Sequence, residues 1–172
     1  MIAILRLGHR VGRDDRISTH CGLVSRALGA SSIIYSGDRD DKMVTGINSV
    51  SERWGGKFEV GYNANWKKVL MDFKRRKYTI VHLTAYGMPL QEKITAIRKN
   101  KNVLVVVGSE KVPGEIYQLA DYNISVTSQP HSEIAALALF LYSYNDKALE
   151  QKFTKSKIKI IPQEKGKKVE EG

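Results

Sequence analysis

Three stretches of this chain concentrate side chains able to do chemistry. The first is Arg13-Asp14-Asp15-Arg16-Ile17-Ser18-Thr19-His20, followed by Arg26. Arg13, Arg16, His20 and Arg26 crowd the first turns of a helix that Ser18 is suited to cap. The pattern carries that helix to about Leu28 and predicts that it buries Val24, Ala27 and Leu28. The stretch has two readings. It is either a charged helix entry in which Asp14 and Asp15 pair the arginines, or a polyanion-facing patch with an arginine near a reacting hydroxyl. The second stretch follows the apolar run Val103–Val107. It passes through Gly108, Ser109, Glu110, Lys111 and Val112 to Pro113, after which a short helix holds Ile116, Tyr117 and Leu119. The third is Val126-Thr127-Ser128-Gln129-Pro130-His131-Ser132-Glu133. There Ser132 caps a helix that is apolar nearly all round from Ile134 to Leu141. A helix of that kind must be buried in a core or against another chain. His131, in the loop before the cap, reads as a solvated histidine.

The elements that hold these stretches form an alternating pattern. Ile2 to Leu7, Ser32 to Ser36, Lys57 to Tyr62, Thr79 to Leu83, Asn102 to Val107 and Asn123 to Val126 read as strands. Between them, Met43, Ile47, Val50 and Trp54 share a helical face, as do Trp66, Val69, Leu70 and Phe73. Strand and helix in turn predict an α/β fold, a mostly parallel sheet with helices on both faces. Neither a G-x-G-x-x-G nor a G-x-x-x-x-G-K-[ST] motif is present, so the usual pyrophosphate cradles are missing. Polar loops instead follow the later strands at Leu83–Gly87, Gly108–Pro113 and Thr127–Glu133, and ligands of open α/β sheets bind beyond such strand ends. The division expected is one α/β domain over 1–145 and a basic extension over 146–172. That extension has a strand at Lys157–Ile161 and a frayed end from Gln163.

With 28 Lys and Arg against 18 Asp and Glu, the 172-residue chain carries a net charge of +10. That excess favours a polyanionic partner, nucleic acid or an acidic membrane surface. Lys74, Arg75 and Arg76, at the end of one helix, are candidates for an RNA footprint, although a lysine-rich helix is usually a solvated face. No apolar run reaches the roughly 18 residues of a membrane span, and no signal peptide is apparent. A single cysteine, Cys21, excludes an internal disulfide and fits a cytoplasmic location. His9, His20, His82 and His131 show no metal-ligand spacing, so no metal is expected.

Taken together these stretches resemble the archaeal tRNA cytidine-56 2′-O-methyltransferases of the SPOUT superfamily. The resemblance rests on Leu5-Arg-Leu-Gly-His-Arg10, Arg26-Ala-Leu-Gly-Ala30, Arg53-Trp-Gly-Gly56, His82-Leu-Thr-Ala-Tyr-Gly87, Val107-Gly-Ser-Glu-Lys-Val-Pro113, Ala120-Asp-Tyr-Asn123, Gln129-Pro-His-Ser-Glu133 and Lys157-Ile-Lys-Ile-Ile-Pro-Gln163. It covers nearly the whole chain. Thr127-Ser128 depart from the small Gly-Asn-like pair expected there. The resemblance implies S-adenosyl-L-methionine as methyl donor, in a pocket made by a deep C-terminal trefoil knot. It places the cofactor contacts on Leu83, on Gly108 to Val112 and on Val126 to Glu133. It further implies tRNA as substrate and a homodimer packed through the helix from Ser132. Arg26 is similar to the arginine such enzymes use at the target hydroxyl; Arg16 and His20 are further catalytic candidates, and Arg13, Arg16 and His20 are candidates to hold the RNA backbone. Two rival readings are a SPOUT enzyme acting at another RNA position and a non-catalytic RNA-binding module.

Overall fold

The β-branched runs pair into one sheet in the computed structural model, which describes residues 1–108 and 112–172. The strands are β1 (Ile2–His9), β2 (Ser32–Gly37), β3 (Glu59–Tyr62), β4 (Thr79–Pro89), β5 (Val103–Val107) and β6 (Tyr122–Ser125). They lie in the order β3-β2-β1-β5-β4-β6, and every pairing is parallel. All of Val103–Val107 is buried, as a central strand covered on both faces requires.

The helices are α1 (Asp15–Ala27), α2 (Asp41–Trp54), α3 (Trp66–Arg75), α4 (Leu90–Ile97), α5 (Glu115–Leu119) and α6 (Glu133–Tyr144). Strand periodicity sorts the core into two layers. Ile2, Ile4, Val103 and Val105 pack against Cys21 of α1, Ile47 of α2, Ile97 of α4 and Leu137 and Phe140 of α6. Ala3, Leu5, Leu104 and Val106 face Leu70 and Phe73 of α3 and Ile116 of α5. The chain winds outward from β1 to β3, then returns across β1 to build β4, β5 and β6. This reversal opens a crevice beyond the carboxyl ends of β1, β5 and β4, the usual ligand position in such sheets.

The structure corrects several expectations. Helix α1 begins at Asp15, so Ser18 lies inside it, fully buried with Oγ 2.9 Å from His9 Nδ1. Its buried residues are Ser18, Cys21, Gly22, Ser25 and Arg26, while Ala27 is exposed. The inward side of α1 is small and polar, so apolar periodicity misjudges both its start and its face. Strand β4 runs on to Pro89 because Leu83 and Met88 both pair with Ile124, which throws residues 84–87 out as a bulge. The tail after Gln163 is not frayed. Lys168–Glu171 forms β8, antiparallel to β7 (Ile158–Ile161), and Lys159 faces Glu170 across the ladder. Opposite charges on facing strands support such a pair. The tail is also tied to the body, with Gly56 N donating to Thr154 O at 2.9 Å and Lys157 N to Arg53 O at 2.9 Å.

Candidate active site

The crevice is a cavity of about 560 Å³. Leu83 of β4, Val107 and Gly108 after β5, and Val112 and Tyr117 around α5 form its walls. The bulge residues Thr84, Ala85 and Tyr86 stand at one side, with His131, Glu133 and Ala136 of the α6 entry at another. Because β6 is the edge strand while α6 packs on α1, the connection through residues 126–132 crosses the ends of β4 and β5 to reach its helix. Ser132 Oγ accepts from Ala135 N at 3.1 Å and fixes where α6 begins.

Glycine makes two of these approaches possible. A Cβ on Gly87 would lie 2.5 Å from Ile124 N and 2.6 Å from the Asn123 carbonyl. One on Gly108 would lie 2.7 Å from a Val112 methyl. Behind the wall, Asn123 Nδ2 donates to Tyr117 O at 2.9 Å, so its Oδ1 accepts from His82 Nδ1–H, also at 2.9 Å. Burial lowers the His82 pKa and keeps the ring neutral, in a role that holds Tyr117 edge-on against it. The Tyr117 hydroxyl then meets Thr84 Oγ1 at 3.0 Å and anchors the bulge.

The charge in the cavity is set by a buried pair. Arg6, in mid-β1 and wholly inaccessible, places Nη2 2.9 Å from Glu133 Oε2 and donates through Nη1 to Leu7 O at 2.8 Å. Burial pushes the Glu133 carboxyl above its ordinary value, against the opposing pull of Arg6. Glu133 Oε2 is itself buried against Arg6, while the Glu133 side chain stays 29% exposed and lines the cavity.

Of the predicted cofactor contacts, Leu83, Gly108, Val112, His131 and Glu133 meet at this cavity. Val126 is half-buried and packs on the core instead. Thr127, Ser128, Gln129 and Pro130 are exposed in the crossing loop, where Ser125 Oγ donates to Thr127 O at 2.7 Å. Ser132 serves as the cap, and Ser109, Glu110 and Lys111 lie outside the described residues. Sequence reasoning missed Arg6, Tyr117 and Ala136. An arginine inside the apolar run Ile2–Leu7 was the available signal for the first, since a buried cation needs a partner.

The basic residues fall on two opposite edges. Helix α1 leaves the carboxyl end of β1, so the exposed Arg13, Arg16 and His20 share the cavity edge. Arg26, in its last turn, reaches the other edge, before β2 and β3 begin. It is 8% exposed, donates to Gly55 O at 2.5 Å and stacks on Phe153 at 4.4 Å. Arg26 does not line the cavity of its own chain; there it clamps the C-terminal segment. Lys74, Arg75 and Arg76, at the end of α3, stand on that far edge too. Lys74 faces Asp121 at 3.9 Å, Arg75 pairs with Asp72, and Arg76 lies 4.8 Å from the Phe73 ring. Arg26→Ala is expected to lower stability by about 2–4 kcal/mol, through a lost charge-assisted hydrogen bond and a cation–π contact. Urea unfolding measures it. An unchanged midpoint with methyl transfer abolished would return Arg26 to the reacting site.

Solved structures share this fold. The SpoU methyltransferase AviRb from Streptomyces viridochromogenes, solved in complex with the cofactor AdoMet, superposes with a TM-score of 0.62 at 14% identity, over 84% of this chain and 56% of that one. The A. aeolicus TrmH/SpoU tRNA modifying enzyme gives 0.62 at 21% identity, over 83% and 73%. The family model described as tRNA ribose 2′-O-methyltransferase, aTrm56, matches residues 54–170. A Thermococcus kodakarensis protein named tRNA (cytidine(56)-2′-O)-methyltransferase is 50% identical over 98% of this chain and 96% of its own. The chain belongs to this tRNA ribose 2′-O-methyltransferase family, as its motifs implied.

Proposed function

We propose that this chain transfers a methyl group from S-adenosyl-L-methionine to the ribose 2′-oxygen of cytidine 56 in the T-loop of tRNA, in the cytoplasm and as a homodimer. The observation that carries the reading is the cavity at the ends of β4 and β5, with Glu133 held at its wall. Its volume is in the range of small-molecule sites. Leu83 and Val112 offer apolar surface for an adenine ring, and the carboxylate of Glu133 at the wall suits a cationic group of the donor. We further propose that the crossing segment 126–132 passes through the chain's own loop, which makes the cavity part of a trefoil knot.

The bound donor supplies an activated methyl on a sulfonium. The chain must align the ribose and help its 2′-proton to leave as the C–O bond forms and the C–S bond breaks. Arg16 and His20 are our choice for this work, because both are exposed on the cavity edge. An arginine serves there by stabilising the developing alkoxide or clamping the adjacent phosphate, since a guanidinium keeps its charge and cannot act as a base. The exposed apolar side chains of α6 support the dimer. Ala136, Leu137, Phe140 and Leu141 face the core, while Leu139 and Tyr142 remain 50% and 55% exposed and Ile17 of α1 39%. A two-fold contact through α1 and α6 would cover these side chains and bring one subunit's α1 to the other's cavity.

The test uses an unmodified tRNA transcript, labelled donor and mass-spectrometric mapping. One methyl on the ribose of cytidine 56, abolished when that nucleotide is 2′-deoxy, is expected. A methyl elsewhere, or none from folded protein that binds the donor, overturns the reading. Binding should also weaken with salt. Arg13→Ala with Arg16→Ala should reduce the steepness of log affinity against log salt by about 1–2, one unit or less per lost phosphate contact. A triple change of Lys74, Arg75 and Arg76 to Ala, on the far edge, should leave the slope unaltered. The reverse pattern would move the RNA to α3.

A further inference from the structure

His9, the last residue of β1, is fully buried, yet its Nε2 has no hydrogen-bond partner among the described residues. That nitrogen faces Asp40 Oδ2 at 3.5 Å. Asp15 completes a group of three whose ligand atoms all lie within 4.8 Å of one another. The 3.5 Å separation is long for an N–H···O bond. Two donors bound to one tetrahedral ion at about 2.0–2.1 Å stand about 3.3–3.4 Å apart, close to the His9–Asp40 separation. We propose that His9, Asp15 and Asp40 bind one divalent first-row transition-metal ion of the zinc type, at a site separate from the cofactor cavity.

The surroundings suit such a site. Asp40 uses Oδ1 to cap α2, accepting from Met43 N at 2.9 Å, which turns Oδ2 toward His9. Asp15 Oδ1 accepts from Gly12 N at 2.8 Å and leaves the second oxygen for the ion. Ser18 Oγ lies 2.9 Å from His9 Nδ1 and can accept its proton, which directs the Nε2 lone pair at the two carboxylates. Hydrogen bonding of the remote ring nitrogen is the usual outer support of a metal-bound imidazole. Imidazole with carboxylates selects zinc-type ions over magnesium and calcium. The three ligands come from the end of β1, the first turn of α1 and the cap of α2, so the ion would join these elements at one edge. It would also neutralise two carboxylates on the edge that carries Arg16 and His20, where an uncompensated acidic pair would repel a phosphate backbone.

Full-length protein stripped with a chelator is titrated with Zn²⁺ by calorimetry and, separately, with Co²⁺ to read its visible absorption. One ion per chain is expected, with a rise in thermal midpoint. Asp15→Asn, on an exposed residue, and Asp40→Asn, which keeps a capping oxygen, should each weaken binding by more than about tenfold, since even outer-shell changes cost that much. Both variants should retain the wild-type midpoint without metal to within a few degrees, which separates lost ligands from lost fold. No binding to the folded wild type, or an ion that both variants hold as tightly, would overturn the proposal and leave an ordinary His–Asp pair. Equal competition by Mg²⁺ at the same concentration would overturn the assignment of ion class.

Discussion

Glu133→Leu is expected to destabilise the chain by about 3–5 kcal/mol, because it strands a buried guanidinium without its counter-charge. Arg6 is wholly inaccessible and keeps only Leu7 O as a described hydrogen-bond acceptor, so no solvent relieves the loss. The double variant Arg6→Met with Glu133→Leu should recover most of that stability, since a well-packed apolar pair often equals a buried ion pair. Urea midpoints of the two single variants and the double complete the cycle. If the double is as unstable as Glu133→Leu, packing around Arg6 rather than its charge governs the site. The double also isolates the binding role. A folded protein without the carboxylate should hold S-adenosylmethionine more than about tenfold more weakly, the worth of one charge-assisted hydrogen bond. A pH series adds a second reading. Because burial raises the Glu133 carboxyl above 4.5, donor affinity should begin to fall, on acidification, at pH values where an ordinary glutamate is still ionised. Flat affinity through that window would remove Glu133 from the donor's contacts.

Gly87→Ala should abolish donor binding. The added methyl would sit 2.5–2.6 Å from backbone atoms of Asn123 and Ile124, and main chain in a parallel pair cannot step aside. The cost is about 3 kcal/mol or more, at the upper end of overpacking effects. The strain would be relieved only by parting β4 from β6 at the bulge that lines the cavity. Calorimetry with the donor and urea unfolding together test this. Gly46→Ala is the control: it lies inside α2 with nothing within 4 Å of the new methyl. It should stabilise the chain by about 0.5–1 kcal/mol and leave donor binding unchanged. Normal binding by Gly87→Ala would show that the 84–87 bulge is free to rearrange.

Much of this molecule could be read from local pattern. Val103–Val107 announced a strand covered on both faces, and the apolar run Ile134–Leu141 announced a helix, of which Ala136, Leu137, Phe140 and Leu141 are buried. Ser132 accepts from a backbone N–H in the first turn of its helix, as its place before the apolar run predicted. Leu83, Gly108 and Glu133 were placed together by the rule that ligands sit beyond parallel strand ends, and they line one cavity. Each of these signals depends on residues a few positions apart, where periodicity reports which way a side chain faces.

Other features depend on distances along the chain that periodicity does not reach. The bulge at 84–87 exists because β6, some forty residues later, pairs twice with the same stretch of β4. Strand β8 needed β7 opposite it before its lysine and two glutamates had a structure to form. Arg26 shares its helix with Arg16 and His20, yet α1 spans the sheet from one edge to the other. Ten residues along the helix therefore separate a group at the cavity edge from one buried under Phe153. His9, Asp15 and Asp40 look unrelated in the chain, and Arg6 and Glu133 are 127 positions apart, as their numbers give. Residue type states what a side chain can do. Which partners it meets depends on the order and direction of the strands, because that topology decides which strand ends converge.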